Sequence, residues 1–232
     1  MDSARYLAHL RRDFGAFEAC LSAAGDLSAR VEHCGDWTLY DLADHLGRGN
    51  LWAAAGVTEQ HGDHESRPAP RDPAALVTWL SGTCAVLLSA LDADPSAEAW
   101  TIAPPPTVGF WQRRRCLETL VHRWEAEHAI GVHGAIDPEL ADDGVAEVVD
   151  TMAPRQVRLG RASAPRHAVR LVATDTRSQR TLGPGEPVAA VRATAADLLL
   201  MLWGRLAADD PAIAWEDDSQ EARATLGHAL TP

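Results

Sequence analysis

"RRRCLETLVHRWEAEHA", residues 113–129, has the periodicity of an amphipathic helix but unexpected residues on its apolar side. Leu117, Val121 and Trp124 recur at helical spacing, with Val132 further along the same arc. On a wheel of about 100° per residue, Glu118 and His122 fall at the edge of that arc. A buried carboxylate is costly unless it is paired or coordinates a metal. A Glu and a His at i and i+4 can both reach one ion in front of the helix, although such pairs also occur as simple surface partners. Either way, a helix of this kind needs another helix facing it, which points to a bundle.

The facing helix is legible earlier in the chain. "LYDLADHLGRGNLWAAAG", residues 39–56, carries a buried stripe of Leu39, Leu42, Leu46 and Ala53, and His45 sits at its margin. Thr38 suits its N-cap, with Asp41 three residues on as an acidic partner. Asp41 lies one turn before His45 and either orients the imidazole or supports the helix start. A His from this helix beside Glu118 and His122 would give three N/O ligands with one position open, the arrangement of a catalytic zinc site. Nickel, cobalt or iron suit the same donors.

Further helices are expected at residues 2–25, from Pro73 through "PAALVTWLSGTCAVLLSALDA", and at 138–152, and the quoted helix should run from about 110 to 130. The stretches 61–72 and 92–109 read as loops from their Gly, Pro and charge content, and His61 and His64 as loop residues. His128 and His133 lack a partner at ligand spacing. Beyond "APRQVRLGRASAP" the pattern changes. "HAVRLVAT" (167–174) and "PVAAVRAT" (187–194) read as strands, "TRSQRTLGPGE" between them as a turn-rich connection, and "AADLLLMLWGRLA" (195–207) as an apolar helix. "AIAWED" suggests a last short strand before a terminal helix. The expected fold is α+β: an antiparallel four-helix bundle over residues 1–153, then a small α+β domain over 154–232.

Composition narrows the function. The 232 residues are 46% hydrophobic, enough for substantial cores, and the net charge of −12 argues against nucleic-acid or anionic-membrane partners. No stretch reads as the roughly 18 apolar residues of a membrane span, and the N-terminus lacks an apolar signal core, so a cytoplasmic location is expected. Cys20, Cys34, Cys84 and Cys116 are scattered without C-x-x-C spacing, as expected of reduced thiols. All 21 basic residues are Arg and Asn50 is the single Asn, a bias expected of a GC-rich genome.

"DWTLYDLADHLG", "RRRCLETLVHRWEAEHA" and "ATAADLLLMLWGRL" occur in this order across nearly the whole chain. Together they resemble the mycothiol-dependent maleylpyruvate isomerase family, whose N-terminal domain is a DinB-like four-helix bundle. The resemblance implies a divalent metal, with zinc expected, on His45, Glu118 and His122. It also implies mycothiol, the low-molecular-weight thiol of actinobacteria, as cosubstrate. The implied chemistry is thiol addition to an activated double bond, rotation about the resulting single bond, and elimination that regenerates the thiol. An S-transferase would stop at the conjugate. A metal-dependent hydrolase or amidase and a non-catalytic metal-containing binding or regulatory protein are the alternatives. Arg114 and Arg115 are candidates for holding a carboxylate-bearing ligand, against the reading of the Arg run as a solvated patch. Arg205, in "LWGR", is the candidate catalytic arginine of the C-terminal domain, against a role in compensating the helix dipole. A small electrophile and mycothiol are the expected partners, and the protein is expected to be a monomer or homodimer.

Overall fold

The structure, a computed structural model, describes residues 1–217, 219–227, 230 and 231. Contacts divide the chain into two units, Met1–Gly134 and Ala135–Pro232. The first is a bundle of α1 (Ser3–Ala23), α2 (Leu39–Thr58), α3 (Pro73–Leu91) and α4 (Val108–Ala129). Local chemistry sets where these helices begin. The Asp2 and Asp72 carboxylates accept from backbone N–H groups three residues ahead, and Pro73 occupies the first turn of α3. Thr38 and Asp41 form a reciprocal capping box at the start of α2. Asp41 therefore supports the helix start, and its carboxylate faces Thr38.

In the bundle α1 packs on α3 and α4, and α2 packs on the same two helices. One core joins Phe14, Phe17 and Leu21 of α1 to Leu39, Leu42 and Leu46 of α2 and Leu76 and Leu80 of α3. Gly47 permits the close approach of α2 and α3, because a Cβ there would lie 2.4 Å from the Trp79 ring. By length and mean hydropathy, 1.8 over the window, α3 is apolar enough to cross a membrane, which the sequence reading overlooked. In the fold its Leu76, Leu80, Leu87 and Leu91 are buried.

The central position of α4 explains its composition. Arg114, Arg115, His122, Arg123, Glu125 and Glu127 are all buried, so two of the three arginines weighed as a solvated patch lie inside the protein, and Arg113 is partly exposed. Each buried charge has a counter-charge: Arg123 pairs with Glu127 at 2.6 Å and lies 3.6 Å from Asp13 of α1. Trp124 is half-buried and stacks on His128, and Val132 lies exposed beyond the helix end, so neither extends the buried arc.

The second unit comprises α5 (Pro138–Glu147), a π-helical turn (Val148–Met152), α6 (Ala153–Arg158), β1 (Ala168–Ala173), β2 (Gln179–Leu182), β3 (Pro187–Ala193), α7 (Ala195–Leu202), β4 (Ala214–Glu216) and α8 (Gln220–Leu226). The sheet order is β2-β1-β3-β4, with β1 parallel to β3 and the outer pairs antiparallel. Three sequence readings change here. The boundary falls ahead of residue 153, because α5 packs on α7; a Cβ on Gly144 would lie 2.9 Å from Leu199. The connection at 176–186 contains β2, whose largely exposed residues show little apolar alternation. The helix "AADLLLMLWGRLA" stops at Leu202, with Trp203 as its C-cap and Gly204 at φ 72°, a left-handed conformation that suits glycine.

Candidate metal centre

The packing of α2 on α4 brings His45 to Glu118 and His122, so the three metal candidates do meet. His45 Nε2 lies 3.5 Å from Glu118 Oε1, and His122 Nε2 lies 3.7 Å from the same oxygen. One ligand atom from each residue falls within 4.8 Å of the others. Both N···O distances are longer than those of a good hydrogen bond, so the imidazoles hold Glu118 only loosely. Two ligands at about 2.1 Å from one cation, at a tetrahedral angle, stand about 3.4 Å apart. The donor set and its spacing therefore fit a divalent cation. Exposure falls from 42% of the His45 side chain to 12% for Glu118 and 5% for His122, so the cluster opens toward solvent on the His45 side.

Around these residues lies a layer that fixes them. His122 Nδ1 is 2.6 Å from Glu125 Oε2, and the Glu125 side chain is fully buried. A carboxylate on Nδ1 places the proton there and leaves Nε2 as the free donor for a metal. Burial alone lowers the proton affinity of His122, but Glu125 and Glu118 outweigh it and hold its pKa above the ordinary imidazole value. A metal at Nε2 would compete with a proton for this group. The sequence reading did not single out Glu125, although its position three residues after His122 uses the helical spacing that had revealed Glu118. Replacing it by Gln should weaken metal affinity by about 10–100-fold, read as the dissociation constant in a competition titration with a chromophoric chelator. Unchanged affinity would show that Glu125 does not orient the ligand.

Arg114 and Arg115 lie against the opposite oxygen of Glu118. Arg115 donates to Glu118 Oε2 at 2.6 Å, to Asn50 Oδ1 at 2.8 Å and to the Leu46 carbonyl at 3.2 Å; Arg114 stands 3.4 Å from Glu118 Oε2. Gly49 makes room for this arrangement, since a Cβ there would come within 2.9 Å of the Arg115 guanidinium. Burial pushes the Glu118 carboxyl upward, but Arg115, Arg114 and the two imidazoles together hold it well below the usual carboxylate range. Glu118 thus remains anionic despite its burial. Trp37 packs its ring 4.9 Å from that of His45, and Asp44 accepts from the Ala69 amide.

On the open side, His45, Arg48, Gly49, Trp52, His64 and Ser66 line a pocket of about 270 Å³. His64 had been read from sequence as an ordinary loop residue; its place beside His45 depends on how residues 59–72 fold back, which no local spacing reveals. In the second unit, Arg205 follows α7 with its guanidinium 5.6 Å from the Trp203 ring. Its side chain donates to the Trp203 carbonyl, and its backbone N–H to that of Leu200. The four cysteines form no disulfide, and burial pushes the Cys84 thiol up to about 12, which leaves it unreactive.

Comparison with known proteins gives a consistent result. Residues 7–127 match the family described as "Mycothiol maleylpyruvate isomerase N-terminal domain", and residues 139–224 match "MDMPI C-terminal domain". Two solved structures share the fold: that of a mycothiol-dependent maleylpyruvate isomerase and that of a histidine-to-alanine mutant of the same enzyme. Each is 16% identical to this chain, with a TM-score of 0.69 over 95% of this chain and 96% of the other. No curated protein matches.

Proposed function

The chain belongs to the mycothiol maleylpyruvate isomerase family, and from that premise we propose that it is a cytoplasmic metalloenzyme that uses mycothiol to isomerise a small electrophile of the maleylpyruvate type. The observation that carries this reading is the convergence of His45, Glu118 and His122 at separations suited to one tetrahedral cation. A divalent ion held there, with zinc as the expected metal, would keep a thiol ionised at neutral pH, where a free thiol is largely protonated.

The protein's own residues prepare that chemistry. Arg115 and Arg114 keep Glu118 ionised, Glu125 presents His122 through Nε2, and Trp37 packs against the imidazole of His45. The greater exposure of His45 leaves the approach to the three donors open from that side. An S-transferase that retains the thiol conjugate would need the same residues, and product analysis separates it from an isomerase.

The direct test is metal analysis of the purified protein, followed by calorimetric titration with mycothiol before and after chelation. About one equivalent of metal and metal-dependent thiol binding are expected. Thiol binding that survives complete removal of metal would overturn the reading. Arg205 is assigned to turnover through the resemblance of "LWGR" to the family motif. Arg205→Ala should then lower kcat with mycothiol and leave the metal content unchanged; wild-type turnover would return the residue to its packing role against Trp203.

A further inference from the structure

The pocket beside His45 contains a cation that the metal cluster does not use. His45, Arg48, Gly49 and Trp52 follow one another along one face of α2, and His64 and Ser66 close the pocket from the loop. Arg114 and Arg115, the cations first expected to hold a carboxylate, are buried against Glu118 instead. Arg48 is about half exposed, and its Nη1 stands 3.5 Å from Asp44 Oδ2, longer than a good hydrogen bond. The other Asp44 oxygen already accepts from the Ala69 amide at 2.7 Å. Ser66 also lines the pocket, and its hydroxyl oxygen is buried without a hydrogen-bond partner among the described residues.

We propose that Arg48, with His64 and the Ser66 hydroxyl, forms the subsite that receives the carboxylate of the electrophile, next to the metal cluster. This deepens the reading above and rests on it. A guanidinium offers the planar pair of donors that a carboxylate accepts best, and the Ser66 hydroxyl can supply a further one. Arg48 lies one turn beyond His45, a rise of about 4.5 Å along the helix axis. A carboxylate held by Arg48 would therefore sit beside His45 in the same pocket. Trp52, one turn further on, gives an apolar wall to the carbon chain. The pocket, of about 270 Å³, has room for a small acid.

The test compares wild type, Arg48→Gln, Arg48→Lys and Ser66→Ala, all zinc-loaded and checked for metal content. Arg48→Gln should raise KM for maleylpyruvate about tenfold or more, with a much smaller change in kcat. Arg48→Lys should recover part of the loss, and Ser66→Ala should raise KM more modestly. Calorimetry with succinate, a non-reacting dicarboxylate, gives a readout that does not depend on turnover. Its affinity should fall in parallel in Arg48→Gln, while the monoanionic methyl ester of maleylpyruvate should show a smaller KM penalty. Wild-type KM and succinate affinity in Arg48→Gln would overturn the subsite. A wild-type protein that binds succinate through Arg48 but shows no mycothiol-dependent activity would overturn the isomerase reading and leave the anion subsite standing.

Discussion

His122→Ala should abolish mycothiol-dependent turnover while the bundle remains folded. The substitution removes one of the three clustered donors from the face where α2 meets α4. It also strips the buried Glu125 of the imidazole at 2.6 Å and leaves Glu118 beside a vacancy. Losing a hydrogen-bond partner of a metal ligand costs about 10–100-fold in affinity, so losing the ligand itself should cost more. Metal content should drop below stoichiometric after dialysis, and activity should fall by orders of magnitude. Added zinc at high concentration should restore part of the rate, because His45 and Glu118 still define two sides of the site. Circular dichroism separates this outcome from unfolding. Full activity in the variant after chelation would show that the cluster takes no part in the reaction.

Arg115→Met should produce the largest loss of stability. The guanidinium is almost fully buried, and it binds the Glu118 carboxylate, Asn50 and the Leu46 carbonyl at once. Removing it leaves Glu118 with the more distant Arg114, and breaking a buried pair in this way costs up to about 3–5 kcal/mol. That is a large fraction of the roughly 5–15 kcal/mol that holds an ordinary domain together. Urea unfolding of the metal-free protein should show the shift as a lower midpoint, and the metal affinity should fall with it. Arg115→Met combined with Glu118→Gln should be more stable than the sum of the two single changes predicts, because the buried carboxylate that lost its nearest counter-charge is then neutral. An Arg115→Met protein as stable as wild type, with unchanged metal affinity, would show that Arg115 does not serve as the counter-charge of Glu118.

The two arginines at 114 and 115 show where a one-dimensional reading stops. In sequence, three consecutive arginines resemble a solvated patch or an anion clamp, and both readings assume that the helix has an outer face. The bundle buries α4 between α1 and α2, so charged residues on several sides of the helix must find partners inside the protein. Arg114 and Arg115 find Glu118; Arg123 finds Glu127 and Asp13. A wheel projection registers an apolar arc but not how many neighbours surround it.

What the sequence determined by itself follows from chemistry that is local along the chain. Capping residues and 3.6-residue periodicity place α1 to α4 to within a few residues: side chains cap the starts of α1, α2 and α3, and periodicity marks α4, whose N-cap Thr107 makes no side-chain capping bond. The i, i+4 spacing of Glu118 and His122, and the position of His45 at the margin of its stripe, raised the three residues as metal candidates, and the family resemblance selected that reading over a surface pair. Tertiary structure decided the rest. Strand β2 exists through its pairing with β1, α5 belongs to the second unit through its packing on α7, and Arg48, His64 and Ser66 share a pocket only because a loop folds back over α2. Those relations join residues that are remote in sequence, and their free energy comes from burial and pairing across that distance, to which no local pattern is sensitive.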